Sequence, residues 1–441
     1  MWTRRSFFRL AGAVGASAWT VGRSGLREVE AASAAVADRT PEEVAQDELY
    51  WREIQEAFTL DRTIVNLNNG NSCPAPRVVH EAMKRYYDIS NQAPVYYRGQ
   101  IERNMETIRR RLAAEFGADP EEIAITRNAS ESLQIAQDGL DLKPGDEVLT
   151  TDQDYPRMLT TWDQRQRRDK IKVVRVNFQV PAKEDDLYRL LEGAVTPRTK
   201  VLHICHLTNI TGQLFPVQRL ARMARERGIV TIVDAAHSIA HFPFKLHDLE
   251  ADFVGTSLHK WLLAPHGTGL LYVRKDKIAS TWALQAVPES QNNTIRKFEQ
   301  VGTQPAANKA AIGEALAFHQ AIGADRKAAR LRYLTLRWAN QVKDLPRVKI
   351  YTSLEKGQSW GLAYVGVDGI EARKLNDFFW NKYRIIGQAM TKSAYPGQQF
   401  DYQGVRITPN VYTTLEELDT FADAIKDAVK NGVPATTATG D

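Results

Sequence analysis

The sequence predicts an α/β protein with a large domain built on a mainly parallel seven-stranded sheet and a smaller C-terminal α+β domain. Three observations carry this. Seven short apolar runs fall between Ile123 and Arg274. Helical patterns separate most of them, which is the signature of a buried sheet with helices on both faces. After about Lys309 the alternation gives way to one long helical stretch and then shorter, mixed elements.

Each element has a local reason. Thr40-Pro41-Glu42-Glu43 supplies an N-cap, a proline at the first helical position and an acid three residues after the cap, so a helix is predicted from there to about Phe58. Ile64–Leu67 reads as a short strand that ends at the turn-rich Asn68-Asn69-Gly70-Asn71-Ser72-Cys73-Pro74. Helical periodicity follows over Arg77–Ile89 and Gln100–Phe116. The large-domain strands are predicted at Ile123–Thr126, Glu147–Thr150, Lys172–Phe178, Val201–Leu207, Val230–Asp234, Phe253–Ser257 and Gly269–Arg274. Intervening helices are predicted at Ser130–Gly139, Arg157–Arg168, Asp185–Val195 and Val217–Arg227. A long helix to about Val342 opens the small domain. Strands near Lys349–Thr352, Gly361–Val367, Arg384–Gln388 and Val405–Pro409 follow, with helices at Glu371–Tyr383 and Leu415–Lys430. The expected division is a leader over 1–37, an N-terminal segment over 38–75, the large domain over 76–308, the small domain over 309–431 and a frayed tail over 432–441.

Composition excludes several classes. The chain has 441 residues, 43% hydrophobic and 25% charged, which suits a globular enzyme with a large core. Mean hydropathy is −0.40, and no run is long and apolar enough for a membrane span. The net charge is +5, but residues 1–37 alone hold five arginines against two acids. The pI near 9.0 therefore comes largely from the leader, and no nucleic-acid surface is expected. Cys73 and Cys205 are the two cysteines; they lack metal-ligand spacing, no metal site is expected, and Cys205 reads as core filler.

The leader sets an expected address. Thr3-Arg4-Arg5-Ser6-Phe7-Phe8-Arg9 is similar to a bacterial twin-arginine export signal, and a mildly apolar stretch runs from Leu10 to Val21. Ala32-Ser33-Ala34 and Ala35-Val36-Ala37 are small-x-small sites for signal peptidase. The expected location is the periplasm, reached folded through the twin-arginine machinery.

The chemistry is expected at strand ends, where open α/β sheets bind ligands. Phosphate-loop, HExxH, GxSxG and GxGxxG motifs are absent. Lys260, in Thr256-Ser257-Leu258-His259-Lys260-Trp261, closes an apolar strand and is placed to anchor an aldehyde cofactor as a Schiff base; by itself such a lysine is more often a solvated charge. Asp234, in Val233-Asp234-Ala235-Ala236-His237, ends another apolar strand and needs a positive partner, such as a protonated pyridine nitrogen; the plainer role is a helix cap. Ser130, in Thr126-Arg127-Asn128-Ala129-Ser130, opens a helix and suits an anion, with simple capping as the alternative.

Together, in this order, these motifs resemble the class V aminotransferase group of fold-type I pyridoxal-phosphate (PLP) enzymes, which includes cysteine desulfurases, kynureninases and isopenicillin N epimerases. The resemblance runs from about Ile64 to Leu418. It implies pyridoxal 5'-phosphate as cofactor, Lys260 as its anchor, Asp234 on the pyridine nitrogen, and His237 and Asn209 at the phenolic oxygen. It further implies Ala129, Ser130, Ser257 and His259 at the phosphate, Tyr155 stacked on the ring, and Arg406 on the substrate carboxylate. Phe298-Glu299-Gln300-Val301-Gly302-Thr303 resembles the segment whose threonine reaches the neighbouring subunit's phosphate, which implies a homodimer. Asn66-Leu67-Asn68-Asn69-Gly70 and Pro94-Val95-Tyr96-Tyr97-Arg98 resemble the isopenicillin N epimerase-like branch and imply substrate-side roles for Asn69, Tyr97 and Arg98; packing of a dimer interface is the other role open to Tyr97 and Arg98. Where desulfurases carry a nucleophilic cysteine, this chain has Gly387-Gln388-Ala389-Met390, and a thioether cannot supply a thiolate.

The expected activity is chemistry at the α-carbon of an amino acid or amino-acid-bearing metabolite, by transamination or epimerisation. Export points to an exported peptide or secondary metabolite as substrate, as in exported relatives that tailor a siderophore precursor. A PLP-dependent β-lyase, or a non-catalytic ligand-binding protein on the same fold, are the alternatives.

Overall fold

The computed structural model describes residues 25–391 and 402–434. The Arg4-Arg5 pair and the tail beyond residue 434 lie outside them. Residues 25–35 are helical and dock on the body. Val29 is 0% exposed and joins the main hydrophobic core with Val36, the Ser33 and Tyr50 hydroxyls lie 3.0 Å apart, and Arg326 donates to the Ser33 carbonyl. Both small-x-small sites sit in this packed segment.

The predicted capping box is present at Thr40, but the helix is short, Pro41–Val44. Asp47 caps a second helix, Glu48–Glu56, by accepting from Leu49 N and Tyr50 N. A competing cap so early divides one predicted helix into two. Strand β1 (Val65–Asn66) follows, then helices Arg77–Gln92 and Pro94–Phe116.

The large sheet comprises β2 (Ile123–Thr126), β3 (Glu147–Thr151), β4 (Lys172–Val176), β5 (Thr199–Cys205), β6 (Val230–Asp234), β7 (Phe253–Ser257) and β8 (Gly269–Val273). Its order is β2-β8-β7-β6-β5-β3-β4. The β7-β6-β5-β3-β4 run is parallel, while β8 lies antiparallel to both β7 and β2. A short connection joins β7 to β8, and such a link returns the chain antiparallel. Apolar clusters cover both faces, so the strands read as unbroken apolar runs.

The predicted long helix is three: Ala306–Ala310, Ile312–Ile322 and Ala324–Val342. Gly323, at φ 89°, breaks the last pair in a conformation that favours glycine. The smaller unit has a four-stranded antiparallel sheet in the order β12 (Gln388–Met390), β13 (Gly404–Ile407), β10 (Ala363–Val367), β9 (Val348–Ile350). Helices Ala372–Tyr383 and Leu415–Asn431 pack on it around a separate apolar core. β1 pairs in parallel with β11 (Ile385–Ile386), so the N-terminal segment is stitched to the small unit before it turns into the cleft. Among the described residues no helix is long and apolar enough to cross a membrane.

Candidate active site

The parallel strands point their C-terminal ends at one cavity of about 270 Å³. Ten of the predicted residues line it: Ala129, Ser130, Tyr155, Asn209, Asp234, His237, Ser257, His259, Lys260 and Arg406. They come from five strand ends and one strand of the small unit, which is how distant sequence motifs meet on an open sheet.

The anion end is built first by backbone. Asn128 caps helix Ala129–Gly139 by accepting from Glu131 N. Ala129 N donates to Ser257 Oγ at 2.9 Å, tying the helix start to the end of β7. Gly269 makes room for this turn, because a Cβ there would lie 2.7 Å from the Asn128 backbone. His259 donates from Nδ1 to the Thr268 carbonyl at 3.1 Å. The result is a helix N-terminus flanked by two hydroxyls, suited to a phosphate. Tyr155 is set by Asp154, whose Oδ2 accepts from Thr150 Oγ1, Thr151 N and Thr151 Oγ1.

The floor carries the titrating groups. Asp234 accepts from Ala236 N at 2.9 Å. Burial raises its pKa to about 6, against the lowering influence of the Ala236 N–H and of Lys260. Burial also lowers Lys260 to about 8, opposed by Asp234. Lys260 Nζ lies 3.2 Å from His237 Nε2. Burial holds His237 well below the usual histidine range, so the ring is neutral and Nε2 accepts from the lysine. His237 Nδ1 and Asn209 Oδ1 are then buried polar atoms without a hydrogen-bond partner among the described residues, and such atoms call for a ligand. The donor set therefore fits a PLP ring: an acid for the pyridine nitrogen, His237 and Asn209 for the phenolic oxygen, an anion site for the phosphate and an amine for the aldehyde. Arg406 guards the other end, donating to the Asn209 carbonyl and to Asn68 Oδ1, both at 2.9 Å.

Four predicted residues do not line this cavity. Asn69 is fully buried behind it, donating to the Thr408 carbonyl at 2.8 Å and accepting from the Tyr412 hydroxyl; its side chain staples the turn while Gly70 and Asn71 face the cavity. Tyr97 and Arg98 sit in the first turn and a half of helix Pro94–Phe116, Tyr97 edge-on to Tyr96 and Arg98 paired with Glu102. Thr303 is exposed. Sequence reasoning missed Asn128, Cys205, Ala236 and Gln388 as lining residues. Gln388 pairs with Arg406 across β12 and β13, a contact that no local pattern announces. Cys205 sits beside Asp234 in the sheet; it is both core and cavity floor. Both cysteines are free and buried. Among the described residues no cluster of metal-binding side chains occurs.

The sequence matches the family Aminotransferase class-V over residues 64–421. It is 29% identical over 396 residues to isopenicillin N epimerase of Streptomyces clavuligerus, covering 85% of this chain and 97% of that protein. It is 24% identical to a probable cysteine desulfurase of Pyrococcus abyssi, covering 89% and 98%. The fold superposes on a cysteine desulfurase from Thermococcus onnurineus with a TM-score of 0.74 at 22% identity, covering 86% and 98%. With the family's span enclosing every element of the cavity, the chain belongs to the class V aminotransferase family of PLP-dependent enzymes.

Proposed function

We propose that the protein works at the α-carbon of an amino acid or amino-acid-bearing metabolite, by transamination or epimerisation, and tailors an exported peptide or secondary metabolite as a periplasmic homodimer. The observation that carries the reaction is the Lys260–His237 contact of 3.2 Å, made in a cavity that Asp234 and Arg406 also line. The similarity to isopenicillin N epimerase supports the epimerase side of the reading.

Bound PLP supplies the electron sink for carbanion chemistry. Asp234 holds a proton at the ring nitrogen. Lys260, lowered to about 8, is an amine able to take and return the α-proton near neutral pH. Neutral His237 accepts from that amine and keeps its lone pair directed. Arg406 grips the substrate carboxylate through charge-assisted hydrogen bonds. Transamination and epimerisation differ in where the proton returns, and these residues serve either.

Cysteine desulfurases are among the relatives, but desulfuration is set aside in this proposal because the chain has Gly387-Gln388-Ala389-Met390 where they carry a nucleophilic cysteine. Cys73 is pushed up to about 12 by burial, Cys205 is held well above the usual thiol range by burial and by Asp154 and Asp234, and the chain holds no third cysteine.

Lys260→Ala is expected to fold normally and to lose at least about 1,000-fold in turnover. Exchange of the α-hydrogen in heavy water, followed by proton NMR across an amino-acid panel, reads the reaction directly. Exchange with inversion indicates epimerisation, and keto-acid formation indicates transamination. Undiminished exchange in Lys260→Ala would overturn the role of Lys260.

A further inference from the structure

Behind the cavity lies a second layer of buried groups that the reaction itself does not use. His241 donates from Nδ1 to the His237 carbonyl at 2.7 Å. Its Nε2 accepts from Gly361 N, also at 2.7 Å. Its ring stacks on Trp261 at 3.6 Å between centroids and 9° between planes. A ring that donates from one nitrogen and accepts at the other is neutral and has one tautomer. Burial holding His241 at about 3 agrees with this.

These contacts converge on Lys260. His237 touches the amine directly, and its other ring nitrogen has no hydrogen-bond partner among the described residues. The backbone of His237, with the edge-on Trp261 ring, is then what the protein supplies to hold that ring in place. Trp261 follows Lys260 in sequence, and its carbonyl accepts from the fully buried Lys327. Gly361 is what lets the backbone come so near: a Cβ there would lie 3.1 Å from both His241 Nε2 and Trp261 Cζ3. Gly361 leads into β10, whose Tyr364 pairs with Arg406. His241 thus joins the strand pair that carries the carboxylate grip to the loop that carries His237.

We propose that His241 is a positioning residue for the reacting amine, fixing His237 through its carbonyl and Trp261 through the stack, and so setting the place of Lys260 Nζ. This rests on the reading of Lys260 as the reacting lysine. Asp234, His237, His259, Arg406, Cys73 and Cys205 are the other titratable or charged groups facing Lys260, and the variants below change none of them.

His241→Phe keeps an aromatic stack and loses both hydrogen bonds. His241→Asn places its amide nitrogen where Nδ1 stood, keeping the donation to His237 and losing the stack. Gly361→Ala keeps the His241 side chain but sets a methyl 3.1 Å from both its Nε2 and Trp261 Cζ3, so that the pair must shift. Two readouts follow the amine: the pH titration of the holoenzyme's visible absorption, and the pH dependence of cyanate labelling of Lys260 in the apoprotein, mapped by peptide mass. His241→Phe and Gly361→Ala are expected to shift both profiles by about one pH unit, the scale of one lost hydrogen bond, while His241→Asn, which keeps the His237 contact but not the stack, shifts them by less than His241→Phe. Folded Phe or Ala variants with wild-type profiles would overturn the proposal, and if His241→Phe does not fold, Gly361→Ala alone decides. Borohydride trapping of the cofactor on the wild-type Lys260 peptide separates the two readings. Trapping there with unshifted variants overturns the role of His241 alone, and trapping on another lysine overturns both.

Discussion

Asp234 illustrates the conflict between stability and chemistry within one residue. Its carboxyl is neutral in folded and unfolded chains below its ordinary value of 3.8 and ionised in both above about 6. Between these values the unfolded chain releases its proton first, so the folded state loses stability as the pH rises through that window. A shift of roughly two pH units corresponds to on the order of 3 kcal/mol. Asp234→Asn keeps an acceptor for Ala236 N–H and removes the buried charge. The apoprotein of that variant is expected to melt higher than wild type at pH 7, with the difference vanishing toward pH 4, while the holoenzyme loses at least about 100-fold in turnover. Thermal melts at the two pH values check the first part; a variant melting lower at pH 7 would contradict it. The strand-end residues were legible because an acid or lysine closing an apolar run is a local anomaly. Asn69 was assigned to the cavity one residue too early, because Tyr412, far along the chain, turns its side chain inward.

At the scale of elements, sheet strands and crossover helices fell within a few residues of their predicted bounds, since period and apolarity are local properties. Departures arose where a second local signal competed, as with Asp47 and Gly323. The segment 25–37 carries both the cleavage motifs and a packed helix. As leader it would be discarded, yet Val29 lies in the main core. A docked helix cannot offer a peptidase the extended backbone it needs without undocking. Under the proposed export, the mature protein is therefore expected to begin at or before Gly25, and N-terminal sequencing decides the point. A start at Ala35 or Asp38 would refute it. Val29→Asp, which buries an unpaired charge, is expected to destabilise the fold by about 3 kcal/mol or more, read as a lower urea midpoint. An unchanged midpoint would show that the helix contributes little.

At the scale of the whole molecule, the cleft is assembled from two units held together by long-range pairings, and these are what the sequence could not display. β1 is a two-residue strand whose partner, β11, lies more than 300 positions away; nothing local says that it carries Gly70 and Asn71 into the cavity. The surface holds a further unpaired feature. Val95 is 80% and Tyr96 63% exposed at the start of helix Pro94–Phe116, and Tyr87 and Ile89 are exposed at the end of the preceding helix. Tyr87 also lines a groove with His80, Met83, Lys84, His266 and Asn308. We propose that these exposed apolar side chains belong to the surface on which the proposed homodimer associates, with Thr303 completing the neighbouring site. The groove reaches His266, in the loop that follows Lys260, so a partner seated there would lie beside the cleft. Sedimentation is expected to give a dimer at micromolar concentration, and the double substitution Val95→Glu with Tyr96→Glu to shift it toward monomer, because desolvating two carboxylates opposes association. Since Asp234, Lys260 and Arg406 are untouched, cofactor absorption per chain should persist while turnover falls with the dimer fraction. A fully active wild-type monomer would remove the partner from the mechanism and leave Thr303 as a surface residue.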